Sequence, residues 1–134
     1  MIFNEKLKSK SKIFLDGGNG SEIAKLGGEM SPAFSALASI TSPDIVIKAH
    51  EKFIDAGSDL ITANTFSSTK HNLESINRGA ETEEFIIRSV KLARQAIKNK
   101  SKENKIGIAG SLSNFFSLKE NEFVPNPKYI PSFK

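Results

Sequence analysis

Three short apolar runs set the limits on what this chain can fold into. Ile13-Phe14-Leu15 runs into Asp16-Gly17-Gly18-Asn19-Gly20-Ser21, and Asp59-Leu60-Ile61-Thr62-Ala63 runs into Asn64-Thr65-Phe66. Lys105-Ile106-Gly107-Ile108-Ala109 runs into Gly110-Ser111. None shows the alternation of a strand with one wet face, so each reads as a strand covered on both sides. Helical patterns lie between them, giving the order strand, helix, strand, helix, strand. Parallel strands require such crossovers, and right-handed ones lay the helices on the sheet. The fold class is therefore α/β with a parallel sheet.

The connecting segments carry their own punctuation. Residues 1–12 are polar and lysine-rich, a basic N-terminal extension or short leading helix. Ser21 is placed to cap a helix of about two turns that stops at Gly27-Gly28. Residues 29–42 read as a loop with one helical turn, long enough to lie over a strand end. Ser42-Pro43-Asp44 is a helix start, combining a capping hydroxyl, proline at the first position and an acid at the positive end of the dipole. Ile45, Ala49 and Phe53 then form one row, with Val46, His50 and Ile54 beside it, and Gly57 ends the helix. A helical piece over Leu73 to Ile76 precedes Gly79. The longest helix runs from about Glu81 to Lys98, with Phe85, Ile86, Val90, Ala93 and Ile97 inward, acids first and bases last. Residues 112–134 show no period and read as an irregular tail.

Composition narrows the function classes. With 134 residues and 38% hydrophobic content the chain supports one domain with a core. No apolar run nears the roughly 20 residues of a membrane span. Met1-Ile2-Phe3-Asn4-Glu5-Lys6 lacks the apolar centre of a secretory signal, so a cytoplasmic protein without a membrane partner is expected. Cysteine is absent, which excludes disulfides, a thiolate nucleophile and a thiolate metal site. The only histidines are His50 and His71, too few for a histidine metal cage. His50, mid-helix on the apolar face, is expected in the core with one hydrogen bond, and His71, in a polar loop, in solvent. The net charge is +4, and the densest basic stretch, Lys6 to Lys12, reads as solvated. With one Tyr and no Trp there is little to stack on bases, so nucleic acid is not an expected partner. No Ser-His-Asp grouping and no carboxylate pair stands out, and no residue is assigned a catalytic role.

The candidate site is the rim where the strands end. Gly18-Asn19-Gly20 fails as a dinucleotide fingerprint because Ile23 occupies the third glycine position, and no Gly-Lys-Ser/Thr occurs. Ligands of parallel sheets and barrels bind at the carboxyl ends of strands. There Asp16, the glycine N–H groups, Asn64, Thr65 and Ser111 converge. The acid suits an ammonium and the N–H and hydroxyl groups a carboxylate, so the set suits a small zwitterion. Two plainer readings stay open: a tight turn without a ligand, with Asn64 and Thr65 merely capping the next turn, and a non-catalytic small-molecule-binding α/β module.

Four pieces in register carry a family resemblance. Leu15 through Glu22, Pro32 through Ala36, Pro43-Asp44 through His50 and Ala56 through Phe66, with Gly110-Ser111-Leu112 beyond, resemble the start of a homocysteine S-methyltransferase domain. The order and spacing match over roughly residues 13 to 111. The resemblance implies a (β/α)8 TIM barrel truncated after its first three strand–helix units, since a closed barrel takes about 250 residues. It divides the chain into the extension 1–12, a partial homocysteine-binding barrel domain 13–111 and the tail 112–134. It implies methyl transfer to homocysteine, giving methionine, with zinc holding the substrate sulfur as a nucleophilic thiolate. By position, Asp16 and Gly17 would hold the amino-acid end of homocysteine, and Gly18 would shape the turn. Asn64 and Thr65 would line the same pocket, and Phe34 stands where the family carries an aromatic residue over the site. The family's zinc ligands are later cysteines, of which this chain has none, and Ser21 replaces the usual threonine. Zinc is thus the full-length family's cofactor, without ligands here. The chain is expected to be incomplete and inactive alone, with a second chain or a missing C-terminal part completing the barrel. Methionine derivatives, betaine and methylfolate all stay open as methyl donors.

Overall fold

The computed structural model describes residues 3–114, 117–119 and 124–130. Parts of the tail expected to be irregular, at 115–116, 120–123 and 131–134, lie outside the described residues. Strands β1 (Leu60–Thr62) and β2 (Gly107–Ala109) pair in parallel, with Leu60 opposite Gly107, Ile61 opposite Ile108 and Thr62 opposite Ala109. Ile13 to Leu15 lies along the other edge of β1, joined by a parallel bridge between Leu15 and Leu60. The Phe14 carbonyl accepts from the N–H groups of Asp59 and Leu60, and the Asp16 N–H donates to the Leu60 carbonyl. Three parallel segments therefore lie side by side in chain order, as the uninterrupted apolar runs predict.

The strands are shorter than their apolar runs. Pairing stops after Thr62 because Asn64 and Thr65 turn their bonds to neighbouring loops, and the Thr65 N–H folds back onto the Ala63 carbonyl at 2.7 Å. The first run makes one bridge because the glycine turn leads the chain away directly after Asp16.

Helices α4 (Pro43–Asp55) and α6 (Thr82–Asn99) pack on each other and against the sheet. Ile54, Ile61, Ala63, Ala93, Ala96 and Ile97 form the core between them, with Phe53, Val90, Ile106 and Ile108 at its margin. Burying these side chains, at about 25 cal/mol per Å² of apolar surface, is the main force holding sheet and helices together. Ile86, read as inward, is instead 41% exposed. The inner face is narrower than its apolar residues suggest.

Pro43 stands at the first turn of α4 as expected, but the Ser42 hydroxyl makes no capping bond, and its carbonyl accepts from Ile45 and Val46 instead. Helix α2 (Asn19–Lys25) begins two residues before Ser21, so Ser21 lies inside it rather than capping it. It ends as read: Gly27 takes φ of +87°, a left-handed value that glycine adopts without strain. Helix α5 (Lys70–Glu74) starts before the expected Leu73 because Thr69 caps it, accepting from the Asn72 N–H.

The segment from Phe3 to Lys12 does more than extend into solvent. Phe3–Lys8 forms helix α1, and Lys6 forms an ion pair with the buried Asp59 at the amino end of β1. A Cβ at Gly107 would lie 2.7 Å from the Phe3 ring, so glycine is what lets α1 approach β2. Lys6 is thus not part of a solvated basic run. Among the described residues no helix is long and apolar enough to cross a membrane.

Candidate functional site

At the opposite end of the strands lies a cavity of about 480 Å³. Its wall is the glycine turn from Gly17 to Ser21, its roof Met30, Phe34 and Ser35, and its floor the strand ends from Thr62 to Asn64 with Phe66, Ser67 and Ser111. Gly17, Gly18, Phe34 and Asn64 of the sequence-derived set line it, while Asp16 and Thr65 sit outside the lining.

Each part of the wall has a local cause. Gly17 lies over α4, where an added Cβ would meet the Phe53 ring at 3.0 Å. Gly20 faces the loop, where a Cβ would meet the Ser35 hydroxyl at 3.2 Å. Asp16 grips the neighbouring strand: its two oxygens accept from the Thr62 N–H at 2.7 Å and the Thr62 hydroxyl at 2.8 Å. Asn19, which the sequence reading passed over, donates to the Thr62 carbonyl at 3.2 Å. Asp16 and Asn19 therefore hold the turn to the end of β1.

Asn64 is buried and committed. Its amide nitrogen donates to the Ser35 carbonyl at 2.7 Å and the Ser39 hydroxyl at 3.0 Å, and its oxygen accepts from the Ser35 hydroxyl at 2.7 Å. Thr65 joins the ends of β1 and β2, its hydroxyl accepting from the Ser111 N–H and donating to the Ser111 carbonyl, both at 2.9 Å. Neither side chain caps the following turn. They tie separate segments together.

Phe34 has φ of +53°, rare for a bulky side chain. A tight turn imposes it, with Phe34 and Ser31 exchanging backbone hydrogen bonds of 2.7 and 3.0 Å. Such a conformation costs roughly 1–3 kcal/mol and persists only where the surroundings over-determine it. Here they hold an aromatic ring at the cavity roof. Ser35, Ser67, Met30 and Phe66 also line the cavity and were not singled out from sequence; the loop long enough to cover a strand end was the available signal for the first and third.

Behind the turn, His50 is fully buried, and neither ring nitrogen has a hydrogen-bond partner among the described residues. The single bond expected for it is not made. Burial pushes its pKa down to about 4, against the pull of the Asp16 charge. His71, expected in solvent, is half-buried on α5. Among the described residues no group of three or more His, Cys, Asp or Glu side chains converges to hold a metal ion.

A family model described as homocysteine S-methyltransferase matches residues 13–129, continuing past Ser111 into the stretch read as an irregular tail. Homocysteine S-methyltransferase 1 from Zea mays is 35% identical over 86 residues, covering 61% of this chain and 26% of that protein. Selenocysteine Se-methyltransferase from Brassica oleracea var. italica is 30% identical over 84 residues, 61% of this chain and 24% of that protein. The chain thus spans about a quarter of the length of these curated relatives. Among solved structures, the homocysteine methyltransferase MmuM from Escherichia coli, in its metallated form, matches with a TM-score of 0.68 at 23% identity. That match covers 83% of this chain and 41% of the other and is a likeness of fold. With most of its length matched by the family model, this chain belongs to the homocysteine S-methyltransferase family.

Proposed function

We propose that the strand-end cavity binds the amino-acid end of homocysteine, and that the chain is the N-terminal part of a barrel transferring a methyl group to homocysteine to give methionine. The observation that carries this reading is the cavity of about 480 Å³ between the glycine turn and Phe34, at the carboxyl ends of parallel segments, in a chain of this family. Its lining mixes the hydroxyls of Ser21, Ser35, Ser67 and Ser111 with the apolar Met30, Phe34 and Phe66, which suits a zwitterion on a short apolar arm.

Each residue has a role in this reading. Gly17 and Gly18 present bare backbone to the ligand. Asp16 keeps acceptor capacity on both oxygens beyond its bonds to Thr62, and an ammonium supplies it with a counter-charge. Phe34 covers the aliphatic arm. Asn64 and Thr65 shape the floor through Ser35 and Ser111.

The residues present do not fit the zinc ion that the family implies. The chain has no cysteine, no metal-holding group converges among the described residues, and His50 is packed in the interior. No step of methyl transfer is therefore derived through a metal here. In this reading both the metal ligands and the strands that would cover Phe14 and Leu15, now 62% and 63% exposed, come from a second chain or a further part of the barrel.

Calorimetric titration of the 134-residue chain with L-homocysteine tests the site. Saturable binding is expected, weakened by loss of either the amino or the carboxylate group of the ligand. A folded chain that gives no heat with homocysteine would sink the reading. Equal binding of unrelated amino acids would favour the non-catalytic binding module.

A further inference from the structure

We infer that Ser39 and Ser89, neither of which lines the cavity, are positioning residues for its roof, acting through Asn64. Ser39, on the short helix α3 (Ala38–Thr41), and Ser89, in the middle of α6, are both fully buried. Their hydroxyls lie 3.0 Å apart. Ser39 also accepts from the Asn64 amide at 3.0 Å, and Asn64 in turn holds both the hydroxyl and the carbonyl of Ser35 at 2.7 Å.

The protons in this network can run one way. The Asn64 amide nitrogen has only hydrogens to give, so the Ser39 oxygen receives one, and a bond from Ser39 to Ser89 is the direction that leaves no hydroxyl proton in the network without an acceptor. Ser89 then donates to the Phe85 carbonyl at 2.8 Å or the Asn64 carbonyl at 3.1 Å. Arg88 adds a brace between the helices, its Nε donating to the Ser39 carbonyl at 2.9 Å. Every member is satisfied, and a buried network in that state is stiff.

The stiffness is delivered to the roof. Phe34, strained at φ +53°, is pinned before by the turn to Ser31 and after by Ser35 in the grip of Asn64. Ser35 also faces the glycine turn, where a Cβ added at Gly20 would lie 3.2 Å from its hydroxyl. A change on α6 therefore reaches roof and wall without any contact with a ligand. Removing the Ser89 hydroxyl leaves the Ser39 proton without its acceptor, and the Ser39 hydroxyl must then turn and compete for the groups that hold Asn64.

Amide hydrogen exchange on the full chain, compared with homocysteine affinity, tests this. Only the affinity arm rests on the proposed function. Ser89→Ala is expected to speed exchange at Phe34 and Ala36 by about 3- to 10-fold and weaken homocysteine binding by a similar factor, leaving Ile61 and Ile108 unchanged. Ser39→Ala breaks the same link from the other side and gives the same pattern, and the double variant does no more than either single one. Ile97→Val, which loosens the core between sheet and helices, serves as the control and spares the roof. The inference is overturned if roof exchange stays at wild-type rates, if exchange rises uniformly, or if the roof loosens while homocysteine binds as before. Should homocysteine bind none of the proteins, the functional reading falls and the exchange pattern alone decides the role of the serines.

Discussion

Asp16 and Asp59 stand at opposite ends of adjacent strands, and they do the same mechanical job under different electrostatic conditions. Each accepts a backbone N–H from the neighbouring strand, Asp16 from Thr62 at 2.7 Å and Asp59 from Phe14 at 3.1 Å. Asp59 is also paired with Lys6, and that bond, helped by the Phe14 N–H, holds its carboxyl below the usual range against the opposing effect of burial. Asp16 has no ion pair among the described residues, and the buried group its charge reaches is the neutral His50. One end of the sheet has its charge compensated and is covered by α1. The other keeps an uncompensated carboxylate beside an open cavity. A carboxylate whose counter-charge comes from within the chain belongs to the scaffold, and on the proposed function the one without it is the one that meets the ammonium of the ligand.

Acid is the strongest way to break this contrast. His50 has a folded-state pKa of about 4 against an ordinary 6.5, so between those values the unfolded chain binds a proton that the folded chain refuses. Stability is therefore complete above pH 6.5, declines as pH falls toward about 4 and levels off below it. At about 1.4 kcal/mol per pH unit the loss approaches about 3 kcal/mol. Urea melts across this range should show the slope in the wild type and lose it in His50→Gln. A slope that survives the substitution would put the titration elsewhere.

Removing the compensation at the closed end comes next. Asp59→Asn keeps an acceptor for Phe14 but loses the ion pair with Lys6, and about 2 kcal/mol of stability should go with it. Its pH dependence separates it from His50: the lowered carboxyl pKa contributes above the ordinary value of 3.8 and is lost as pH falls through the folded-state value. Homocysteine affinity should be untouched. A loss of affinity in Asp59→Asn would mean that the two ends are coupled.

The smallest change sharpens the contrast most. Asp16→Asn should weaken homocysteine binding about tenfold, equivalent to about 1.4 kcal/mol, by removing the charge offered to the ammonium. Loss of the amino group from the ligand should then cost nothing further in the variant. If it costs the same as in the wild type, the ammonium is held by some other group.

Much of the fold was legible because the relevant signals are local. Pro43 and the stripe through Val46, Ala49 and Ile54 placed α4, and Gly27 and Gly57 take the positive φ values that their positions suggested, +87° and +100°. The readings that failed involve competition between partners. Ser21 and Ser42 have the chemistry of caps, yet the backbone arrangement gives neither a capping bond. Thr69, unremarkable in sequence, caps α5. Of the candidate site, the glycine turn was visible because three glycines in four positions are a backbone statement in themselves. Asn64 was visible as a strand-end polar residue, but its bonds to Ser35 and Ser39 span 29 and 25 positions of chain, and no periodicity encodes them.

Sequence alone determined the order of the elements, the parallel pairing and the end of the sheet where glycine and polar groups gather. Those follow from apolar periodicity and from the conformational freedom of single residues. Tertiary structure decided which polar groups were spent on one another. Packing α1 under the sheet gave Asp59 its cation, and packing α6 against α3 completed the chain of hydroxyls behind Asn64. Asp16 was left with hydrogen bonds from Thr62 and no ion pair in the described fold, because hydrogen bonds and ion pairs form where folding brings their partners within about 3 Å of each other, whatever their distance along the chain.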